Sequence, residues 1–224
     1  SVKIICTKDT LPILARKFPS TLKVEINNIS FLKSFLKKER KTTFVALVGP
    51  GAGMNSKTMK FTEEILKQIK YVILDADSLN SFQKKTKKFL KYLDKNKLIT
   101  PHRAEFHRLF PSIKTSLSNK EKVSKFLKVC KSNILLKGNT TVIGSPAKIV
   151  INKHTSSELA VIGSGDVLAG IIASLVGDKK MSPNEAASAA TWIHGDIAKR
   201  YGRGLISEDL VKGIPSALQR LKNE

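Results

Sequence analysis

Cysteine is scarce in this chain of 224 residues, which contains only Cys6 and Cys130. They form no CxxC pair and have no metal-ligand spacing, so we predict two reduced core cysteines in a cytosolic protein. None of the four histidines has HExxH or zinc-finger spacing, which argues against a metal hydrolase. Aromatic residues make up only 6% of the chain, so few side chains could stack on bases at a nucleic-acid interface.

The sequence also lacks an uninterrupted apolar run long enough to cross a membrane. Residues 159–177 approach the roughly 20 residues of a transmembrane helix, but they include Asp166 and four glycines. A central aspartate costs about 2.5 to 3.5 kcal/mol on insertion, so we expect a glycine turn followed by a buried core helix. No signal peptide is seen. The sequence opens within a strand-like pattern, SVKIIC, without Met, and we expect that an N-terminal part is missing.

Acidic residues are few: 18 stand against 40 Lys and Arg, giving a net charge of +22. Such a field attracts nucleic acid, anionic membranes or phosphorylated metabolites. Much of the excess is lysine on predicted helices, as at residues 81–96, where Phe82, Phe89, Leu90 and Leu93 form an apolar stripe and lysines cover the rest. We interpret these lysines as a solvated helix face, because nucleic-acid sites more often combine Arg with aromatic residues. The lysines are Lys84, Lys85, Lys87, Lys88 and Lys91.

Strand-like segments alternate with amphipathic helical segments along the first half of the chain. We predict strands at residues 2–6, 22–26, 43–49, 71–76 and 97–100, with helices at 10–18, 29–40, 57–70, 81–96 and from 105 onward. This alternation predicts an α/β fold with a mostly parallel central sheet and helices on both faces. The run YVIL is apolar throughout, as expected for a strand that is covered on both sides.

The pattern changes after a helix predicted at residues 118–131. Three short strands, NILLKG, TTVIG and AKIVIN, are separated by turn residues and predict an antiparallel edge. Three helices follow, beginning near Asp166, at Ser182 and after Ser207. No repeat, linker or change in composition marks a boundary, so we expect residues 1–224 to form one domain.

Glycine and polar motifs follow several predicted strands, where ligands of open parallel sheets collect. In GPGAG, the bare backbone at Gly49, Gly51 and Gly53 could approach an anion or a flat ring; a tight turn without function is an equal alternative. Asp75 and Asp77 follow the next strand, where a carboxylate can hold a metal–phosphate complex or a sugar hydroxyl. Capping of the next helix is the alternative for Asp75.

Two further motifs follow later strands. His102 comes after Pro101 at the end of the fifth strand, and a ligand-binding and a structural role are about equally supported. In LLKGNTT, Lys137 could neutralise phosphate, while Gly138, Thr140 and Thr141 could contact a nucleotide base or ribose through the backbone. An ordinary hairpin turn with an exposed lysine is the alternative.

The segment GSGDVLAG places Asp166 at the start of an apolar helix and directly after a glycine turn. The helix N-terminus and the glycine amides together favour a phosphate at this point. A carboxylate beside that phosphate can take the proton of an attacking hydroxyl during phosphoryl transfer. We favour this role for Asp166 over simple N-capping, which would not require glycines on both sides of Ser164.

Six motifs in this order resemble the ADP/ATP-dependent NAD(P)H-hydrate dehydratase family, whose fold is ribokinase-like: GPGAG, LDADSLN, LITPHRAEFHRL, ILLKGNTTVI, GSGDVLAGIIASL and AATWIHGDIAKR. The resemblance implies repair of the S-form of hydrated NADH or NADPH. The ring hydroxyl is phosphorylated at the expense of ADP or ATP, and phosphate is then eliminated. It also implies Mg²⁺ on the phosphates, a cytoplasmic homotetramer, and in some members a fused epimerase domain.

The resemblance carries roles over to individual residues. It implies Asp166 as the catalytic base. The implied contacts to the hydrated cofactor are Gly51, Gly53, His102 and Asp166. The implied contacts to the adenine nucleotide are Lys137, Gly138, Asn139, Thr140, Thr141, Gly163, Ser164 and Gly165.

The resemblance implies a further N-terminal strand with a GGS-like turn that helps to bind the hydrated cofactor, and we expect that this chain begins after it. Two rival functions stay open. One is a small-molecule kinase of the same superfamily, acting on a hydroxymethylpyrimidine, a thiazole alcohol or a sugar. The other is a basic nucleic-acid-binding protein on an inactive enzyme scaffold.

Overall fold

The computed structural model describes residues 1–39, 41 and 45–221. The strands are β1 (Lys3–Cys6), β2 (Leu22–Glu25), β3 (Val45–Val48), β4 (Tyr71–Leu74), β5 (Lys97–Ile99), β6 (Asn133–Leu136), β7 (Thr141–Gly144) and β8 (Ile149–Asn152). The helices are α1 (Leu11–Lys17), α2 (Ile29–Glu39), α3 (Ser56–Gln68), α4 (Ala76–Asn80), α5 (Thr86–Leu90), α6 (Arg103–Leu109), α7 (Asn119–Val129), α8 (Ser164–Lys179), α9 (Pro183–Tyr201) and α10 (Ser207–Arg220).

Six strands form one sheet in chain order, from β3 to β8. β3, β4, β5 and β6 are parallel, whereas β6, β7 and β8 pair antiparallel, so the predicted mixed sheet with an antiparallel edge is confirmed. β1 and β2 pair in parallel as a separate two-stranded sheet. The carboxyl ends of β3 to β6 therefore meet at one edge, and the loops that follow them are neighbours.

Alternate residues of the strands supply two separate cores, one on each face of the sheet. One core receives Val72, Leu74, Ile99, Ile134 and Leu136. The other receives Ile73, Leu98, Leu135 and Ile143, and it is covered by α8, α9 and α10. A Cβ placed on Gly177 of α8 would lie 3.0 Å from Val45 of β3, so this helix packs tightly against the start of the sheet.

The helix predicted at residues 81–96 is wrong. The chain turns after α4, with Lys84 at φ 60°, and only α5 is helical within this range. Phe82 and Phe89 are both fully buried, with ring centroids 4.7 Å apart, so the apolar spacing reflects burial without a continuous helix. The five lysines of this segment are exposed, as predicted.

Other boundaries shift by one to three residues. α8 begins at Ser164, two residues before the predicted start, and α6 begins at Arg103. Arg40, at the end of the predicted second helix, and residues 43–44, at the start of the predicted third strand, lie outside the described residues. Cys6 and Cys130 are both buried and free, as predicted. Among the described helices, none is long and apolar enough to cross a membrane.

Candidate active site

A buried ion pair joins the ends of two strands at the carboxyl edge of the sheet. Lys137 Nζ, after β6, lies 2.8 Å from Asp75 Oδ1, after β4, and Asp75 is 1% exposed. Although Asp75 is the N-cap residue of α4, its side chain makes no capping hydrogen bond. The capping alternative is therefore wrong for this side chain, and its role is to hold the Lys137 ammonium.

The loop between β5 and α6 is tied to the same place. The backbone N–H of Lys137 donates to the carbonyl of Pro101 at 2.9 Å, and His102 pairs with Lys137 in an isolated parallel bridge. The strand pairing of β5 and β6 thus continues into the two loops. This continuation sets His102 and Lys137 side by side.

The glycine loop after β3 packs directly on the chain that follows β4. A Cβ on Gly49 would lie 1.7 Å from the carbonyl oxygen of Asp75, so only glycine fits there. Further along, the N–H of Gly53 donates to Asp77 Oδ2 at 2.8 Å, and Thr58 Oγ1 donates to the Gly53 carbonyl at 2.6 Å. Asp77 and Thr58 therefore fix the conformation of this loop.

The N-terminus of α8 lies against the ion pair. Its N-cap is Gly163, at φ 83°, and no side chain caps the helix. A Cβ on Gly165 would lie 3.2 Å from Lys137 Nζ and 4.0 Å from Asp75 Oδ2. The first-turn amides of the helix are thus left for a ligand, next to a lysine ammonium, which is the arrangement that proteins use for phosphate.

Asp166 is the third residue of α8 and its side chain is exposed. Partial burial raises the pKa of its carboxyl, and the nearby carboxylate of Asp75 raises it further, against the opposing charge of Lys137. Asp77 and Glu105 add smaller contributions that also raise this pKa. A raised pKa makes the carboxylate a stronger proton acceptor, which is the property that a general base needs.

His102 has a structural role that the sequence left undecided. Its Nδ1 accepts from the N–H of Ala104 at 3.1 Å, and Glu105 Oε2 accepts from the His102 N–H at 2.9 Å, which completes a capping box for α6. Burial lowers the pKa of His102, and the positive charge of Lys137 lowers it further. With Nδ1 accepting, the neutral ring carries its proton on Nε2. This atom lies 3.5 Å from Glu105 Oε1, so Glu105 holds both the backbone and the ring of His102.

The loop between β6 and β7 is held in place by a side chain from another element, the helix α7. Asn119 Nδ2 donates to the carbonyl of Thr140 at 3.0 Å, and the amide group of Asn119 sits where a side chain on Gly138 would have to be. Thr141 is buried, and its hydroxyl donates to the Gly138 carbonyl at 3.3 Å. The lysine is therefore presented from an ordered loop, and of the four residues after it only Thr141 is buried.

Within the described residues, no three His, Cys, Asp or Glu side chains are grouped so that they could hold a metal ion. The carboxylates of Asp75 and Asp77 are already engaged, one with Lys137 and the other with the Gly53 amide.

The sequence profile of NAD(P)H-hydrate dehydratases matches residues 2–216, which includes every motif described above. The chain belongs to the NAD(P)H-hydrate dehydratase family. A protein of Archaeoglobus fulgidus named as a bifunctional NAD(P)H-hydrate repair enzyme is 30% identical over 203 residues, which is 90% of this chain and 39% of that protein. An ADP-dependent (S)-NAD(P)H-hydrate dehydratase of Neisseria meningitidis is 35% identical over 161 residues, which is 69% of this chain and 54% of that protein. The chain thus matches about two fifths and about half of the length of these two relatives.

The fold of this family member is ribokinase-like. A ribokinase-like superfamily protein from Enterococcus faecalis aligns with a TM-score of 0.83 at 21% sequence identity, covering 97% of this chain and 76% of that one. A hydroxyethylthiazole kinase from Pyrococcus horikoshii aligns with a TM-score of 0.66 at 15% identity, covering 97% and 86% of the two chains. At these identities the likeness establishes the fold alone.

One residue of the family motif AATWIHGDIAKR was given no role by the sequence reasoning, yet it reaches the site. His194 on α9 is 4% exposed, and its Nε2 lies 3.1 Å from the carbonyl oxygen and 3.2 Å from Oγ of Ser164. The side chain of Ser164 is correspondingly buried. The sequence carries one signal for His194. It is a polar residue that follows a run of small and apolar residues in a predicted helix.

Proposed function

We propose that this chain repairs the S-form of hydrated NADH or NADPH in a reaction driven by ADP or ATP. The observation that carries the proposal is the position of Asp166. Its carboxylate makes no hydrogen bond to any described residue, stands on the uncapped first turn of α8, and interacts electrostatically with the pair of Asp75 and Lys137. An unengaged base beside an anion-binding turn is suited to phosphoryl transfer to an alcohol.

In the first step, Asp166 takes the proton from the hydroxyl that water addition has placed on the nicotinamide ring. The freed oxygen attacks the terminal phosphorus of the nucleotide, and the bond from that phosphorus to the bridging oxygen breaks. AMP leaves when the donor is ADP, and ADP leaves when it is ATP. The amides of α8 and the ammonium of Lys137 stabilise the charge on the transferring phosphoryl oxygens.

In the second step, phosphate departs with the electron pair of the ring carbon–oxygen bond. The neighbouring ring carbon gives up its proton to water, and the electron pair of that C–H bond forms the double bond that restores the reduced nicotinamide. Phosphorylation is useful here because it replaces hydroxide, a poor leaving group, with phosphate, a good one. Lys137 stays next to the departing phosphate and favours its release electrostatically.

Magnesium, when bound with the nucleotide, would neutralise part of the charge on its phosphates, and Asp75 and Asp77 are the residues that would hold it. Mg²⁺ is usually held by one or two carboxylates together with substrate phosphates and water. Asp75 fits this pattern, because only its Oδ1 is engaged by Lys137 while Oδ2 faces Gly165. Asp77 is the second candidate carboxylate, next to the Gly53 amide.

We assign the remaining contacts from the family motifs, and the arrangement of the loops is compatible with them. The hydrated cofactor would lie against the glycine loop at Gly51 and Gly53 and against the half-exposed side chain of His102. The nucleotide would lie along the segment from Lys137 to Thr141 and on the turn from Gly163 to Gly165.

Asp166→Asn tests the mechanism, because it keeps the size of the side chain and removes the base. We expect the turnover of NADPH hydrate to fall on the order of 10²-fold or more. Turnover is measured as the recovery of absorbance in the reduced-nicotinamide band. ADP binding should persist. Asp178→Asn, at the exposed far end of the same helix, is the matched control and should be fully active. Near-normal turnover of Asp166→Asn would remove this residue from the mechanism.

The same assay separates the rival functions. A small-molecule kinase would phosphorylate an alcohol substrate and leave the nicotinamide absorbance unchanged. A nucleic-acid-binding protein would show an affinity for RNA or DNA that falls steeply with salt and is insensitive to ADP. The Asp166 arrangement favours a phosphoryl-transfer enzyme over the nucleic-acid alternative.

We also propose that the chain works with an epimerase that supplies the S-form, either fused to it or separate, and that it assembles as a cytoplasmic homotetramer. The epimerase proposal is supported by the bifunctional relative, of which this chain matches 39%. Addition of an epimerase should double the fraction of a racemic hydrate that is repaired. Sedimentation of the purified chain tests the tetramer.

A further inference from the structure

Among the described residues, one side chain, that of His194, hydrogen-bonds to the turn that would hold the phosphoryl group. Gly163 and Gly165 have no side chains, so within the turn from Gly163 to Gly165 only Ser164 can form a side-chain hydrogen bond. The backbone N–H of Ser164 donates to the carbonyl of Val161 at 3.3 Å, while its carbonyl and hydroxyl oxygens both lie within hydrogen-bond distance of His194 Nε2.

The chemistry of these contacts fixes the state of the His194 ring. A carbonyl oxygen can only accept, so Nε2 must carry the proton and donate, shared between the carbonyl and the hydroxyl of Ser164. Burial lowers the pKa of His194 to about 4. The ring is therefore neutral at physiological pH, and the donor is present over the whole range in which the enzyme would work.

His194 is itself on a rigid support. The next residue, Gly195, packs so closely against the preceding loop that a Cβ there would lie 1.9 Å from the carbonyl oxygen of His154. His194, Gly195, Asp196, Ile197 and Ala198 are all buried. A displacement of the Ser164 turn therefore cannot be absorbed by movement of α9.

We infer that His194 is a positioning residue for phosphoryl transfer, holding Ser164 so that the amides of Gly165 and Asp166 and the Asp166 carboxylate face the reacting phosphate. This inference rests on the proposed function and deepens it. Glycine-rich turns sample many conformations, and a misplacement of about 1 Å at a reacting centre can cost on the order of 10²-fold in rate. His194 acts by removing that freedom without touching substrate.

Three variants test the inference in the repair assay. His194→Leu removes the donor, His194→Gln keeps an N–H donor at a similar reach, and Ser164→Ala removes only the hydroxyl acceptor. We expect kcat to fall on the order of 10²-fold in His194→Leu and about tenfold in Ser164→Ala, with KM for the hydrate changed little. His194→Gln should restore kcat to within about tenfold of wild type. Ser188→Ala, on the same helix, is the control.

The thermal midpoint and the Kd for ADP are measured for every variant. If His194→Leu has wild-type kcat, or if His194→Gln and His194→Leu lose kcat equally, the positioning role is overturned. If His194→Leu does not fold, the decision passes to His194→Gln, which keeps the donor, and a fall in its kcat on the order of 10²-fold at an unchanged thermal midpoint overturns the inference. Failure of the proposed function looks different, because the wild-type chain itself would then bind ADP without restoring any reduced-nicotinamide absorbance.

Discussion

Acid should destabilise the folded chain through His194, by an amount that follows from its burial. The ring is 4% exposed, and burial lowers its pKa from 6.5 to about 4. One pKa unit corresponds to about 1.4 kcal/mol. The difference between the pKa of His194 in the unfolded chain and in the folded chain therefore corresponds to about 3 kcal/mol of stability. This is a large fraction of the stability of an ordinary domain, about 5 to 15 kcal/mol.

The direction of the pH dependence follows from whether the folded or the unfolded chain binds a proton at His194 first as the pH falls. Below a pH of about 6.5 the unfolded chain binds a proton at His194, whereas the folded chain does so only near pH 4. The free energy of unfolding is therefore unaffected by this residue above about pH 7 and decreases as the pH falls from 6.5 to 4. His102 and His107, whose pKa values burial also lowers, act in the same direction.

Urea unfolding followed by circular dichroism between pH 4 and 7.5 measures the effect. Wild type should lose about 3 kcal/mol more than His194→Gln over this range, because glutamine does not titrate while the other histidines are present in both chains. Ser188→Ala, a change on the same helix without a titrating group, should retain the wild-type pH dependence. Equal losses in wild type and His194→Gln would refute the reasoning, since His194 would then be protonated as readily in the folded chain as in the unfolded one.

Two further outcomes are expected. Gly49→Ala should lower the free energy of unfolding by about 3 kcal/mol or more in the urea assay, because the added Cβ would overlap the Asp75 carbonyl. Gly51→Ala should lower it by only about 1 kcal/mol, because there is open space around Gly51 and the cost is that of an alanine at φ 66°. Asp77→Asn should move the acid limb of the kcat/KM profile to lower pH, since it removes a negative charge that raises the pKa of Asp166; an unmoved limb would contradict the assignment of Asp166 as the base.

Much of the fold could be predicted because the strands carry strong local signals. The segment YVIL is apolar at every position, and in the structure its residues serve two cores at once, with Ile73 facing one and its neighbours Val72 and Leu74 the other. The helix starting at Pro183 was predicted from its capping box, and Ser182 and Glu185 make those contacts. Such signals depend on residues within one turn of each other.

The prediction of one helix over residues 81–96 was wrong because its backbone path is set by packing and not by local signals. Phe82, Phe89 and Leu93 have helical spacing, and all three are buried. Their burial is achieved by a turn at Lys84 in a left-handed conformation and by packing of Phe82 on Phe89. Periodicity reports which side chains are buried, and it cannot say which backbone path buries them.

For the site, the motifs could be found in the sequence but their connections could not. Lys137 and Asp75 are 62 residues apart, and their pairing depends on the register of β4, β5 and β6. His194 and Ser164 are 30 residues apart on different helices. No local pattern reports a contact that is created by the packing of α8 on α9, which is why His194 was overlooked.

The order of the six-stranded sheet has a consequence for how the chain is made. Because β3 to β8 are neighbours in space in the order in which they are synthesised, each strand can dock on its predecessor as it leaves the ribosome. α8 must then return to the beginning of the sheet, where Gly177 meets Val45. Asp75 and Lys137 can therefore pair before the turn that bears Asp166 has been synthesised, and α8 docks on a sheet that is already in place.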